Sequence, residues 1–317
     1  MEKSLLIWGI FIAVVLILLI LDLGVFDKKD REIGFKESLW MSGFYILMAV
    51  LFGLWVWYIK GLDSFAEYIT GFLVEKSLAL DNIFLISLVF SSLSIPLKYQ
   101  HRVLFWGILG VIVLRAIMIG LGVQIITRFE WILYIFAAFM IITGIKMFFM
   151  SSKPVEISQN PLLIWMRKHL NITDALHGQK FFVYQHVAQS KTKKLFVTPL
   201  FVSLVMVEFI DLIFAVDSIP AIFAITQDPY IVYTSNIFAI LGLRALYFAL
   251  ASIIDRFSYL KYALAAVLLF IGSKIFIADA LNLEKIPPML SLTITVTILA
   301  LGVLCSFLRE KTITKDR

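Results

Sequence analysis

Val205-Met-Val-Glu208-Phe-Ile-Asp211-Leu-Ile-Phe-Ala-Val-Asp217-Ser-Ile-Pro220 sets three carboxylates into a run that otherwise reads as membrane span. An acidic residue at the centre of a bilayer helix costs about 2.5–3.5 kcal/mol on insertion scales. Three that only filled space would be a heavy penalty, so they must face one another, a basic partner, water or a bound cation. Residues Val74 to Phe84 are a partial copy of this stretch. There Glu75 and Asp81 repeat the six-residue spacing of Asp211 and Asp217, and Asn82 stands where Ser218 does. The expectation is that the two stretches meet and hold a metal ion.

The rest of the composition fits a bilayer. Of 317 residues 61% are hydrophobic and 16% charged, and the mean hydropathy is +0.95; two soluble domains do not look like this. Windows of 18 or more nearly uncharged residues read as transmembrane helices. Nine spans are expected, at about 4–25, 38–60, 64–94, 102–126, 129–150, 196–226, 230–254, 258–279 and 287–308. Ser4 to Leu21 is too long for a signal-peptide core and no small-residue cleavage site follows it, so it reads as the first span. The single cysteine, Cys305, lies in the last span and reads as a packing residue; one cysteine provides no internal disulfide.

Lys and Arg fix an orientation. With the N-terminus outside, the inside segments hold 19 basic residues and the outside segments hold 4. The positive-inside bias therefore gives N-out and C-in. It also accounts for the net charge of +6 without nucleic-acid binding, which is not expected.

Spans 3–5 and 6–8 match in order. Beyond the acids, Leu-Arg-Ala recurs at 114–116 and 243–245. Tyr134…Gly144-Ile-Lys146-Met-Phe148 parallels Tyr262…Gly272-Ser-Lys274-Ile-Phe276. Three-span copies with no span between them must lie upside down relative to each other, the construction of many secondary transporters, whose substrate sits at the midplane between the copies. The fold class is therefore an all-α polytopic membrane protein with two inverted three-helix repeats. Its segments are 1–62 (peripheral helices 1–2), 63–150 (repeat one), 151–195 (a basic cytoplasmic loop), 196–281 (repeat two) and 282–317 (helix 9 and tail). Leu162 to Leu170, apolar then basic, reads either as a helix on the inner membrane surface or as a plain connector.

On an ideal helix Glu208 and Asp211 lie 60° apart, Asp211 and Asp217 about 120° apart, and Glu208 opposite Asp217. One straight helix cannot aim all three at one ion. A kink at Pro220, which frees the Val216 carbonyl, would re-aim Asp217; two subsites, or a separate job for one acid, are the other solutions. The expected ligands are Glu75, Asp81, Asn82, Glu208, Asp211, Asp217, Ser218 and Asn236, with Ser235 an alternative to the last. All offer oxygen, which suits Mg²⁺, Ca²⁺ or Mn²⁺ better than zinc or copper. The four histidines fall in loops. The acids could instead only neutralise Arg115, Lys146, Arg244 and Lys274 as buried pairs, or such bases could hold the empty site neutral and give way to a cation. Lys76 and Lys146 could simply snorkel to an interface.

These motifs resemble the TerC/Alx family of bacterial membrane proteins. The resemblance rests on Glu75-Lys-Ser-Leu-Ala-Leu-Asp81-Asn82, on Asp211 to Ala224, and on Asp228-Pro-Tyr-Ile-Val-Tyr-Thr-Ser-Asn236 through Arg244. The opening Leu21-Asp22-Leu-Gly-Val-Phe looks most like the Alx branch. The resemblance implies a multi-pass protein of the bacterial inner membrane, linked by name to tellurium resistance and otherwise to Mn²⁺ export. The expectation is thus a secondary transporter, not an enzyme. Mn²⁺ would be its substrate, the lipid bilayer its surroundings and protons its coupling ion, with no organic cofactor. The alternative is a non-transporting membrane factor in tellurite resistance, redox balance or homeostasis of exported proteins.

Overall fold

Long apolar windows become long helices. The structure, a computed structural model, describes residues 2–26, 34–129, 131–149, 157, 160–173, 175–186, 193–250, 260–281, 283 and 286–315. Within these, α1 (Glu2–Phe26), α2 (Phe35–Lys60), α3 (Leu62–Ser92), α4 (Leu97–Arg128) and α5 (Ile132–Phe149) precede a small polar unit. That unit holds α6 (Pro161–His169) and an antiparallel hairpin of β1 (Phe182–His186) and β2 (Lys193–Val197). Then follow α7 (Pro199–Ile225), α8 (Pro229–Ile240), α9 (Leu243–Leu250), α10 (Leu260–Ala280) and α11 (Pro288–Lys315). The chain is an all-α polytopic membrane protein, with the hairpin as its small β addition.

Helix starts are written in the sequence. Pro161, Pro199, Pro229 and Pro288 each open a helix at a position where a backbone N–H would have no partner anyway. Asn160 and Asp228 cap two of these starts by accepting from the backbone N–H groups of Leu162 and Tyr230. Pro220, by contrast, sits inside α7, which remains helical to Ile225.

Among the described residues eight segments are long and apolar enough to cross a membrane, and α8 with α9 counts as one of them. The 31-residue α3 is not in that set, because it carries Asp63, Glu67, Glu75, Lys76 and Asp81. Glu67 and Glu75 are buried, and α3 packs against α2, α7, α8 and α11. With α3 the nine expected spans are accounted for.

The helix break occurs where the sequence did not suggest it. The α8–α9 segment is interrupted at Leu241 and Gly242, where Gly242 takes a φ of +78°. Only glycine adopts that conformation without strain, and a Cβ there would also collide with the Tyr45 ring.

Helices α5 and α10 meet through residues that the sequence pairs. The Tyr134 and Phe276 rings are 5.9 Å apart at 51°, and Phe148 and Tyr262 are 5.9 Å apart at 48°. Gly144 faces the Ala265 carbonyl and Gly272 faces the Ala137 carbonyl. Small residues at a membrane helix crossing let the backbones approach closely.

Candidate functional site

The acids of α3 and α7 converge on a base from α4. Arg115 is 2% exposed. Its Nε and Nη2 donate to both oxygens of Asp211, at 3.1 and 2.8 Å. Its Nη1 donates to Glu75, and also to Ser218 Oγ at 3.0 Å and Asn236 Oδ1 at 3.3 Å. The planar fork fits a carboxylate in two parallel bonds, a geometry that an ammonium group cannot copy.

Amides complete the shell. Asn236 of α8 donates from Nδ2 to Glu75 Oε2 at 3.1 Å, and Asn82 of α3 donates to Asp211 Oδ1 at 3.4 Å. Five expected ligands, Glu75, Asn82, Asp211, Ser218 and Asn236, therefore share one buried network. Their common centre is a guanidinium, so the reading of the acids as partners of Arg115 holds in this state. Glu75 and Asp211 together exceed the charge of Arg115 by one. Asp81 and Asp217 lie on the same two helices, but their side chains fall outside the described residues.

Glu208 stands apart. Its carboxylate lies against Gly107 and Gly110 of α4, where a Cβ on Gly110 would run into it. Its Oε2 has no hydrogen-bond partner among the described residues. Helical geometry separated Glu208 from Asp217, and in the fold Glu208 Oε2 makes no hydrogen bond to the Arg115 network.

Two bases do what sequence reasoning missed. Lys76 does not snorkel: its Nζ donates to the carbonyls of Ala239 and Leu241, at 3.0 and 3.4 Å, at the α8–α9 break. The break leaves carbonyls without helical partners, and the ammonium satisfies them. Arg244, 1% exposed, donates from Nη2 to Asp22 Oδ1 at 2.7 Å and to the Asp22 carbonyl at 3.1 Å. Tyr45 donates to the same Asp22 oxygen at 2.8 Å. The signals were available: a glycine inside an apolar span, and an aspartate at the end of the first one.

A cavity of about 760 Å³ opens where the first residues of α3, α5 and α11 and the Asp228 cap of α8 meet the last residues of α7 and α10. Asp63, Glu67, Thr70, Asp228, Lys274 and Asp279 are among its lining residues. Glu67 accepts from Thr226 Oγ1 at 2.7 Å. Thr70 lies five residues before Glu75, about 7.5 Å along α3. A second cavity, of about 20 Å³, lies on the opposite side of the network, between Asn82, Asp211 and Arg244.

The model of the "Integral membrane protein TerC family" matches residues 60–313, which contain the whole network. The chain belongs to the TerC family. Among TerC relatives, an "Uncharacterized membrane protein" of Rickettsia bellii is 53% identical over 309 residues, 98% of this chain and 99% of its own length. Proteins of Photorhabdus laumondii and Salmonella typhi are 44% and 45% identical, each over 86% of this chain and 87% and 86% of their own lengths. Both carry the provisional name "membrane-bound redox modulator Alx". No solved structure matches this TerC protein.

Proposed function

We propose that this TerC protein is a secondary transporter that exports divalent metal cations, Mn²⁺ first among them, across the bacterial inner membrane. The observation that carries the reading is the convergence of Glu75 and Asp211, from two helices, on the single buried guanidinium of Arg115. A site that holds two facing carboxylates on a side chain can exchange that side chain for a cation. Once Arg115 withdraws, Glu75, Asp211, Asn82, Ser218 and Asn236 present hard oxygen atoms at one place. That donor set suits Mn²⁺, Mg²⁺ or Ca²⁺. Asp81 and Asp217 are assigned to the same site by spacing, and Glu208 to a separate step of the path.

The reciprocal contacts of α5 and α10 support two inverted copies, 63–150 and 196–281, that rock about the network. The wide acid-lined cavity is the outward release vestibule in the N-out orientation that the basic residues favour. Proton exchange at the carboxylates is the proposed coupling, since a neutral acid reorients in the membrane at lower cost than a charged one.

The test is Mn²⁺ accumulation in inverted membrane vesicles. Parent protein should accumulate Mn²⁺ against its gradient, whereas Glu75→Gln and Asp211→Asn should fall to the level of empty vesicles. Parent-like accumulation by either variant would remove the site assignment.

The names of the Photorhabdus and Salmonella relatives favour a second reading, a redox role. The sequence has one cysteine, so thiol–disulfide exchange would need a partner's thiol. Loss of tellurite or oxidant tolerance in Cys305→Ala, with Mn²⁺ accumulation intact, would favour this reading.

A further inference from the structure

Arg115 and Arg244 occupy the same place in the two Leu-Arg-Ala motifs, yet only Arg115 engages the carboxylates. Arg244 is bound through Nη2 alone, and its Nε and Nη1 have no hydrogen-bond partner among the described residues. Buried guanidinium groups rarely leave donors unused, because each unmade bond carries a desolvation cost. Asn82 Oδ1, equally buried, is also without a partner among the described residues. Arg244, Asn82 and Asp211 line the same 20 Å³ cavity, a space that fits about one water molecule. Unused donors and an unused acceptor thus belong to residues that line a common gap beside a carboxylate.

The partners of Arg115 indicate what belongs in that gap. Arg115 binds Glu75, Asp211 and Ser218. Exchanging each for its sequence counterpart gives Asp211, Glu75 and Asn82 as the partners of Arg244. Two of these three already line the cavity beside Arg244.

We infer that Arg244 is a second counter-ion for the Glu75–Asp211 pair, parked on Asp22 in this state and exchanged for Arg115 in the opposite one. The inference rests on the carrier reading above and adds a specific device to it. The carboxylate pair is released to a cation between two arginine-paired states, so Glu75 and Asp211 keep a guanidinium partner in the empty site from either side. Asp22 with Tyr45, on the first two helices, is the resting place that sets which arginine is engaged. Asp22 and Tyr45 are positioning residues, acting through Arg244.

The experiment follows conformation separately from transport. In a Cys305→Ala background, Ile86→Cys places a thiol on the wall of the small cavity. Its reaction with an impermeant maleimide, applied from the hairpin side of membrane vesicles, reports opening of that side. In otherwise parental protein labelling should be slow. Asp22→Asn, which releases Arg244, should raise the labelling rate about fivefold or more, and Asp22→Glu should leave it slow. Asp22→Asn combined with Arg244→Gln removes both charges together, the change best tolerated by the fold, and should return labelling to the slow rate. The inference is overturned if Asp22→Asn leaves labelling unchanged, or if the rise persists in the double variant. Should Asp22→Asn fail to fold, the double variant decides through the effect of Mn²⁺: labelling that still responds to Mn²⁺ as in the parent overturns the inference. Absence of Mn²⁺ accumulation by the parent would defeat the carrier reading instead, leaving the labelling pattern as a separate result.

Discussion

Gly144 and Gly272 each face the backbone of the helix that carries the other. A Cβ at Gly272 would come within 2.7 Å of the Ala137 carbonyl, and one at Gly144 within 2.9 Å of the Ala265 carbonyl. Backbone cannot move aside as a flexible side chain can. Gly272→Ala is therefore expected to lower stability by about 1–3 kcal/mol, and Gly272→Val by more. Thermal unfolding in detergent checks this. A parent-like melt for Gly272→Val would mean that α5 and α10 do not cross this closely.

Arg115→Gln strands two buried carboxylates. Removing one member of such a cluster costs about 3–5 kcal/mol, whereas removing all charges together costs far less. The triple variant Glu75→Gln/Arg115→Gln/Asp211→Asn should consequently melt closer to the parent than Arg115→Gln does. Excess Mn²⁺ should raise the melt of Arg115→Gln by more than that of the parent, because the Arg115 guanidinium no longer competes for the oxygens. Equal shifts in both proteins would indicate that the ion does not take the place of Arg115.

Lys76→Met removes the donor from the Ala239 and Leu241 carbonyls while preserving most of the stem. Loss of bonds to two otherwise unpartnered acceptors should cost about 1–3 kcal/mol, read from the same melts. Lys76→Arg, which retains donors, should recover part of the loss. Faster hydrogen exchange at the backbone of residues 241–246 in Lys76→Met would localise the effect to the break.

Two ion pairs in this chain should respond very differently. Lys60 and Asp228 meet at a half-exposed position, and Lys60→Ala should cost less than about 1 kcal/mol. Asp228→Ala adds the loss of the α8 cap and should cost about 1 kcal/mol more. Asp22→Ala, beside a guanidinium that is 1% exposed, should cost about 3–5 kcal/mol. Salt should weaken only the first pair.

Much of the fold could be read from hydropathy, because a bilayer demands long apolar helices and the charges between them point one way. The clustering of Glu75, Asn82, Asp211, Ser218 and Asn236 was also legible, since isolated polar groups in a span must find one another. Arg115 was visible only as a possible neutraliser: its sequence position carries no sign of which acids lie across from it. The break at Gly242 was missed because a single glycine is tolerated in membrane helices, and Lys76 alone reveals which carbonyls it leaves open. Spacing separated Glu208 from Asp217, but only the packing of α4 against α7 placed Glu208 over Gly107 and Gly110.

The α8–α9 segment has the lowest mean hydropathy of the eight crossing segments, 1.4 against 3.0 for the first, and 83% of it is buried in protein. Its main neighbour, α3, is more charged still. Alone, α3 is not a favourable guest in lipid, yet 166 residues separate Leu62 from Pro229 along the chain. Biogenesis must therefore hold α3 at the insertion machinery, or beside α2, until α8 emerges to cover its polar face. The polar network that equips the finished protein also dictates the order in which its helices can be released into the membrane.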